Sequence, residues 1–164
     1  MSILAEGIDR FDGIPLEFVR YPPAVASQRF AIRVGARSGP LLRIIYGVRS
    51  ENAWVDLGEP PDGELIVSFG RTRFVTRVGN IGGWRIEGPW RWITAIGIRM
   101  SIRHGDVSFD GSHHGGVRLD FRTPVRWSIF RVPAIYVSAD DLDGLAAALA
   151  ARGVRGEDAR RGSA

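Results

Sequence analysis

The sequence predicts an all-β domain with one C-terminal α-helix (an α+β class), built as an antiparallel barrel or strongly bent sheet capped by the helix. Three observations predict this fold. The 164-residue length is that of one domain, apolar and polar residues alternate through most of the chain, and a single clear helical pattern comes near the end. We expect one domain over residues 1–154 and a tail without regular structure over residues 155–164.

Alternation is clearest in four segments, RFAIRVG, ELIVSFG, IRMSIRHG and GVRLDFR, where every second residue is apolar. This is the pattern of a half-buried antiparallel strand. Turn residues such as those in EPPDGE and SHHGG separate the segments. Weaker alternation predicts further strands at about residues 4–11, 15–21, 72–78, 83–88, 106–110, 125–131 and 133–138. Residues 36–63 are the least regular, and PLLRIIYGV within them fits either a short helix or another strand.

The segment SADDLDGLAAALAARG predicts the helix, over about residues 139–152. Ser138 is placed to be its N-cap, with Asp141 three residues later in a capping-box-like arrangement. Gly153 is suited to end the helix. One face repeats leucine at the spacing of a packed helix: Leu142, Leu145 and Leu149. Such a face needs an apolar surface, which a barrel end or a sheet face provides.

Composition excludes several kinds of chemistry. The chain has no cysteine, so disulfides, thiolate metal sites and cysteine nucleophiles are all absent. All 22 basic residues are arginine, and without lysine there is no side-chain amine for Schiff-base chemistry. We find no secretory signal pattern and no apolar run near the ~20 residues of a membrane span. A cytoplasmic protein is therefore expected.

Positive charge is concentrated in the middle of the chain. Residues 71–131 contain eleven arginines and four acidic residues, a net charge of +7, whereas residues 1–70 and 132–164 carry −2 and −1. Four of the five tryptophans lie in the same central segment. This coincidence of aromatic and basic residues is the strongest functional signal in the sequence.

Residues 73–152 contain GPWRW, the GIR that follows, GVRLDF, then PV and YVSADDLDGLAAAL. With these features the segment resembles an uncharacterised family of small actinobacterial proteins. The resemblance implies a family without an assigned activity. The order of strands followed by a helix is also similar to pleckstrin-homology-like barrels, which mostly bind phosphoinositides, peptides or proteins and share no catalytic motif.

The predicted contact surface combines Trp90, Arg91, Trp92, Arg99 and Arg103. Exposed, these side chains would stack on a ligand or lie at a membrane interface. The alternative is structural, with the tryptophans packed on the core and the arginines in water. We expect a non-enzymatic binding or interaction module whose partner is an anionic head group or a protein. Net charge of +4 without a basic run disfavours nucleic acid.

A second prediction concerns arginines that share one side of a strand. Such sets are Arg71 with Arg73 and Arg77, Arg99 with Arg103, and Arg118 with Arg122. If these strands were neighbours, the sheet would present a positive plate. Like charges opposite one another across strands are destabilising, so a plate of this kind needs interleaved acids or an anionic partner.

Other functions have weaker support in the sequence. His104, His113 and His114 lie near Asp106 and Asp110, but adjacent histidines in an extended segment point to opposite faces, so we predict no metal and no cofactor. The carboxylates are scattered, which disfavours an enzyme because acid–base catalysis depends on geometry. The alternative function is a carrier that holds a lipid or cofactor inside a hollow barrel.

Overall fold

The computed structural model describes residues 27–36, 38–60, 62–88, 97–100, 105–111 and 114–162. In these ranges the chain is mostly β, with two helices and two sheets. The helices are α1 (Gly39–Tyr46) and α2 (Leu142–Ala151). The strands are β1 (Gln28–Ala31), β2 (Ala53–Leu57), β3 (Glu64–Phe69), β4 (Thr72–Arg77), β5 (Ile81–Glu87), β6 (Gly97–Met100), β7 (Val107–Asp110), β8 (Gly116–Trp127), β9 (Phe130–Val137) and β10 (Gly156–Asp158).

The two sheets differ in their strand directions. The first has the order β1-β2-β3-β4 and is antiparallel throughout. The second has the order β10-β5-β8-β9-β7-β6 and is mixed, because β10 runs parallel to β5 and β7 runs parallel to β9. The described strands do not close into a barrel. The alternation of apolar and polar residues shows which face of a strand is buried. Two sheets packed face to face bury one face of each strand, as a closed barrel does, so the pattern is the same for both.

Aromatic side chains hold the two sheets together. Phe74 of the first sheet stacks on Phe121 of the second, with ring centroids 5.6 Å apart. It also contacts Phe109 at 6.2 Å and Trp127 at 6.3 Å. Phe69 adds a further contact between the sheets, an edge-to-face packing on Phe109 at 6.2 Å. Aromatic pairs at these distances stabilise beyond the area that they bury.

The chain also joins the sheets at one corner. Ile32, just beyond β1, forms an isolated bridge with Ala139, just beyond β9. The backbone N–H of Arg33 donates to the Ser138 carbonyl at 2.9 Å. The first sheet is therefore continuous with the second through backbone hydrogen bonds as well as through the core.

Helix α2 packs against β5 and β8 through buried Leu145 and Leu149. Arg152, the C-cap of this helix, donates hydrogen bonds to the carbonyls of Leu57 and Gly58, each at 3.1 Å, at the end of the first sheet. Burial lowers the pKa of Arg152, although the negative charge of Asp56 acts to raise it. The helix thus contacts both sheets.

Most predicted strands inside the described ranges are confirmed, but one boundary is wrong. The structure ends β8 at Trp127 and starts β9 at Phe130, where the sequence predicted one strand over 125–131. The sequence did not indicate a turn there, because Ser128–Ile129 contains no glycine, asparagine or proline. The predicted strands 4–11 and 15–21 lie outside the described residues.

The prediction of a single helix is also corrected. PLLRIIY belongs to α1, whose N-cap is Ser38 and whose C-cap is Gly47, a glycine with φ +66. In α2 the N-cap is Asp141, whose carboxylate accepts from the Gly144 N–H at 2.8 Å. Ser138, the predicted N-cap, is buried, and its hydroxyl accepts from the Gly111 N–H at 2.9 Å. Gly153 ends the helix as predicted, with φ +77.

Residues 156–162, within the segment that was expected to lack regular structure, form a strand and a short 3₁₀ helix. Gly156–Asp158 form β10 and pair with Trp84–Ile86 of β5. A Cβ on Gly156 would overlap the Trp84 ring, so only glycine fits there. Arg160 donates to Asp158 and Asp143, and these hydrogen bonds raise the pKa of Arg160. Backbone pairing needs no apolar side chains, so the polar composition gave no sign of it.

Neither helix in the described part of the chain is long and apolar enough to cross a bilayer.

We predict that Arg152→Met lowers the free energy of unfolding by about 2 kcal/mol, because the hydrogen bonds from a charged donor to the partly buried carbonyls of Leu57 and Gly58 are lost. Urea unfolding followed by tryptophan fluorescence measures it. Arg155→Met is the control, since Arg155 is exposed and its side chain has no hydrogen-bond or ion-pair partner among the described residues. Equal losses for both variants would show that Arg152 does not fasten α2 to the first sheet.

Candidate functional site

The predicted contact surface falls almost entirely outside the described residues. This holds for Trp90, Arg91, Trp92 and Arg103. Arg99 lies in β6, where its backbone pairs with Ser108 of β7, but its side chain is not among those described. The surface therefore stays a prediction, and the described part of the chain is the place to look for a site.

The three described tryptophans have structural roles. Trp84 is partly buried and its indole N–H donates to the Val154 carbonyl at 3.0 Å, which fixes the tail. Trp127 packs in the core between the sheets. Trp54, on the outer face of the first sheet, carries the guanidinium of Arg29 4.0 Å from its ring centroid. Trp84 and Trp127 thus pack against the core, whereas Trp54 does not.

The predicted arginine plate does not form from the described strands. Arg73 and Arg77 belong to β4 of the first sheet, whereas Arg118 and Arg122 belong to β8 of the second. Arg71 lies in the turn before β4. The expectation failed because the alternation of side chains along a strand shows which residues share a face, but not the sheet to which the strand belongs.

Two pairs of arginines nevertheless face each other directly across neighbouring strands of the second sheet. In the first pair, Arg85 of β5 lies opposite Arg118 of β8. Acidic residues surround both of its members. Arg85 binds Glu157 at 2.8 Å, and Arg118 binds Asp106 at 2.5 Å and Asp120 at 2.9 Å.

The pKa of Arg118 is raised by these acidic neighbours. Burial alone would lower the pKa, but the hydrogen bond to Asp106 and the charge of Asp120 outweigh burial and raise it. The first pair is therefore compensated within the protein.

The second pair is not compensated. Arg126 of β8 lies directly opposite Arg131 of β9, and both side chains are exposed. Neither forms an ion pair with any carboxylate in the described ranges. The same is true of Arg122, further back along β8. Like charges in this position repel, so this part of the hairpin holds uncompensated positive charge.

The end of the hairpin is apolar. Its two-residue turn is Ser128–Ile129, and Ser128 has φ 54, the left-handed region that residues other than glycine rarely adopt. Ile129 is 85% exposed and Phe130 43%. Beneath them, the Trp127 indole N–H donates to the Arg73 carbonyl at 3.0 Å and anchors the hairpin to the first sheet.

These features give the hairpin two complementary capacities. The guanidinium groups of Arg126 and Arg131 can donate paired hydrogen bonds to a phosphate or carboxylate. The exposed Ile129 and Phe130 can enter an apolar environment immediately beside that anion. We call residues Arg126–Arg131 the hairpin tip.

Sequence reasoning missed the hairpin tip because it missed the turn. Once the turn is placed at Ser128–Ile129, alternation alone puts Arg126 and Arg131 opposite one another. The signal in the sequence FRTPVRWSIFRVP is its symmetry, with an arginine followed by an aromatic residue on one side and the reverse on the other. A search for symmetric positions around a two-residue turn would have found it.

A second exposed apolar surface lies on α1. Leu41, Ile44 and Ile45 are exposed, Ile44 by 81%, while Leu42 on the opposite face is buried. A groove of about 610 Å³ runs beside this face, with Val34 and Val48 among its lining residues. We call Leu41, Ile44 and Ile45 the α1 ridge.

The described residues offer little for catalysis or metal binding. They contain no group of three histidine or acidic side chains placed to hold a metal ion. A cavity of about 330 Å³ at the start of α2 includes His114 and several aspartates. Two of those aspartates already bind arginines, Asp140 with Arg33 at 2.6 Å and Asp143 with Arg160 at 2.5 Å.

Comparisons with protein-family models, with curated proteins and with solved structures each gave no match.

We predict that Arg126→Thr raises the free energy of unfolding by about 0.5 kcal/mol at low ionic strength, since it removes the repulsion from Arg131. The gain should vanish in about 1 M salt, where charges are screened within ~3 Å. Urea unfolding at the two salt concentrations measures it.

Arg85→Thr is the matched control. It removes one arginine from the compensated pair, and with it the ion pair to Glu157, so no gain is expected. A gain of equal size at both sites, or one that salt does not change, would contradict the prediction.

Proposed function

We propose that the protein is a non-enzymatic binding module that attaches to anionic lipid head groups through the hairpin tip. The observation that carries the proposal is the uncompensated pair Arg126–Arg131, in contrast to the compensated pair Arg85–Arg118 in the same sheet. A phosphate bound between the two guanidinium groups would supply the charge that the protein itself does not.

The apolar end of the hairpin tip favours a membrane surface over a soluble anion. Moving the exposed parts of Ile129 and Phe130 out of water would contribute roughly 2–4 kcal/mol. Each arginine near an anionic surface contributes about 1 kcal/mol. Together these terms support reversible attachment of the kind that a peripheral domain makes, and they depend on both charge and apolar contact.

The alternative functions have less support. A carrier needs an empty interior, whereas Phe69, Phe74, Phe109 and Trp127 fill the space between the sheets. An enzyme needs a convergent set of reactive groups, and the aspartates in the cavity at α2 are occupied by arginines and by the helix cap. A protein partner with surface carboxylates would satisfy the arginines, and the experiment below separates it from a membrane.

Vesicle co-sedimentation tests the proposal. We predict that the protein sediments with phosphatidylcholine vesicles that contain phosphatidylserine, not with phosphatidylcholine alone, and that salt reduces the binding. Replacing both arginines, Arg126→Gln with Arg131→Gln, should weaken it roughly 30-fold, from about 1 kcal/mol for each arginine. Ile129→Ser should weaken it several-fold.

Controls with the same chemistry elsewhere on the surface make the result specific. Arg77→Gln with Arg155→Gln lowers the net charge equally, and Ile44→Ser removes an isoleucine of similar exposure. Neither should change binding. Equal binding to neutral vesicles, no binding at all, or equal loss in the controls would overturn the proposal. Competition by inorganic phosphate without dependence on Ile129 would identify a soluble anion as the ligand.

A further inference from the structure

Ser128 is held in a backbone conformation that suits glycine. Its φ is 54°, and it is the only residue other than glycine with a positive φ in the described part of the chain. In this region the Cβ of an L-residue lies too close to a backbone carbonyl, whereas glycine adopts the conformation without strain. Residues strained in this way cluster at functional sites, where the surrounding structure holds them in place.

The strands on both sides of the turn are fixed. Trp127 and Phe130, which flank Ser128–Ile129, pair across the hairpin. The ring of Trp127 packs against Phe74 of the first sheet, and its indole N–H donates to the Arg73 carbonyl at 3.0 Å. Because this packing fixes the chain next to the turn, the strain at Ser128 persists in the folded protein.

The side chain of Ser128 does nothing to offset this strain. A serine hydroxyl can stabilise a turn by bonding to nearby backbone groups. The Ser128 hydroxyl forms no hydrogen bond with any group in the described ranges, and the residue is exposed. The fold therefore gives no reason for serine in place of glycine, which points to a role of the hydroxyl in binding.

The uncompensated arginines of the hairpin tip lie close to this hydroxyl in the chain. Ser128 follows Arg126 by two residues and precedes Arg131 by three, and the two arginines face each other across the ladder. Two residues of extended chain span about 7 Å, a distance that a long arginine side chain covers. A phosphate group between the guanidinium groups would be within reach of the hydroxyl, which rotates freely and adds a further donor.

We propose that the Ser128 hydroxyl is a third ligand of the phosphate group that the hairpin tip binds. It donates a hydrogen bond to a phosphate oxygen, beside those donated by Arg126 and Arg131. The inference rests on the proposed function for the source of the phosphate, a lipid head group. It explains why a hydroxyl occupies a position that suits glycine.

Substitutions at position 128 test this in two measurements, the thermal unfolding midpoint and the Kd for phosphatidylcholine vesicles that contain phosphatidylserine. Ser128→Gly should raise the midpoint by about 3 °C, because the strain is relieved. It should also weaken vesicle binding roughly fivefold, because a hydrogen bond to a charged group is lost. Ser128→Ala should weaken binding equally without raising the midpoint, because it lacks the hydroxyl but keeps the strain.

Two further variants make the result specific to the hydroxyl. Ser128→Asn should bind vesicles as the natural protein does, since asparagine tolerates a positive φ and its amide donates hydrogen bonds. Ser50→Ala removes an exposed hydroxyl elsewhere and should not change binding. Weaker binding by Ser128→Gly alone would assign the effect to flexibility of the turn and would overturn the inference.

The inference and the proposed function fail in different ways. Vesicle binding that depends on Arg126 and Arg131 but not on Ser128 would overturn the inference alone. If the natural protein binds no vesicles, the proposed function is overturned, and calorimetric titration with inorganic phosphate decides the inference. Phosphate binding that Ser128→Ala weakens would support Ser128 as a ligand, whereas phosphate binding without that dependence, or none, would overturn both.

Discussion

The packing of Phe74 between the sheets is the interaction on which the rest of the structure depends. Its ring touches Phe109, Phe121 and Trp127, which come from two different strands of the second sheet. This contact sets the position of β8 against the first sheet. Since β8 also supplies the hairpin tip, the core and the candidate binding surface are linked through one strand.

Alternation of apolar and polar residues predicted most of the strands that the structure describes, because burial on one face is a local property of the chain. It could not predict how the strands are shared between sheets. The parallel pairs β10–β5 and β7–β9 join segments far apart in sequence, and nothing in their composition distinguishes them from antiparallel strands. The end of the chain was missed for the same reason, since β10 is held by its backbone.

The candidate site was only partly accessible from the sequence. The charge of residues 71–131 correctly drew attention to the central segment, but an average over a segment hides how individual charges pair. Arg118 and Arg126 are both arginines on β8, but the first binds Asp106 and Asp120, whereas the second lies opposite Arg131 and meets no carboxylate of the described residues. Compensation of charge depends on the three-dimensional contacts of each side chain, and the pairing of Arg126 with Arg131 becomes visible once the turn at Ser128 is placed.

The ladder between β5 and β8 stops at Phe121, where Asn80 takes over by exchanging two hydrogen bonds with the Thr123 backbone. Beyond this point β8 pairs with β9 alone, so the last residues of the hairpin project past the edge of the main sheet. Apart from Trp127, which packs against the core, the residues there are free of the packing demands that constrain the interior. A protein built in this way can acquire a new ligand preference by altering a few projecting residues, while the scaffold that carries them is inherited unchanged.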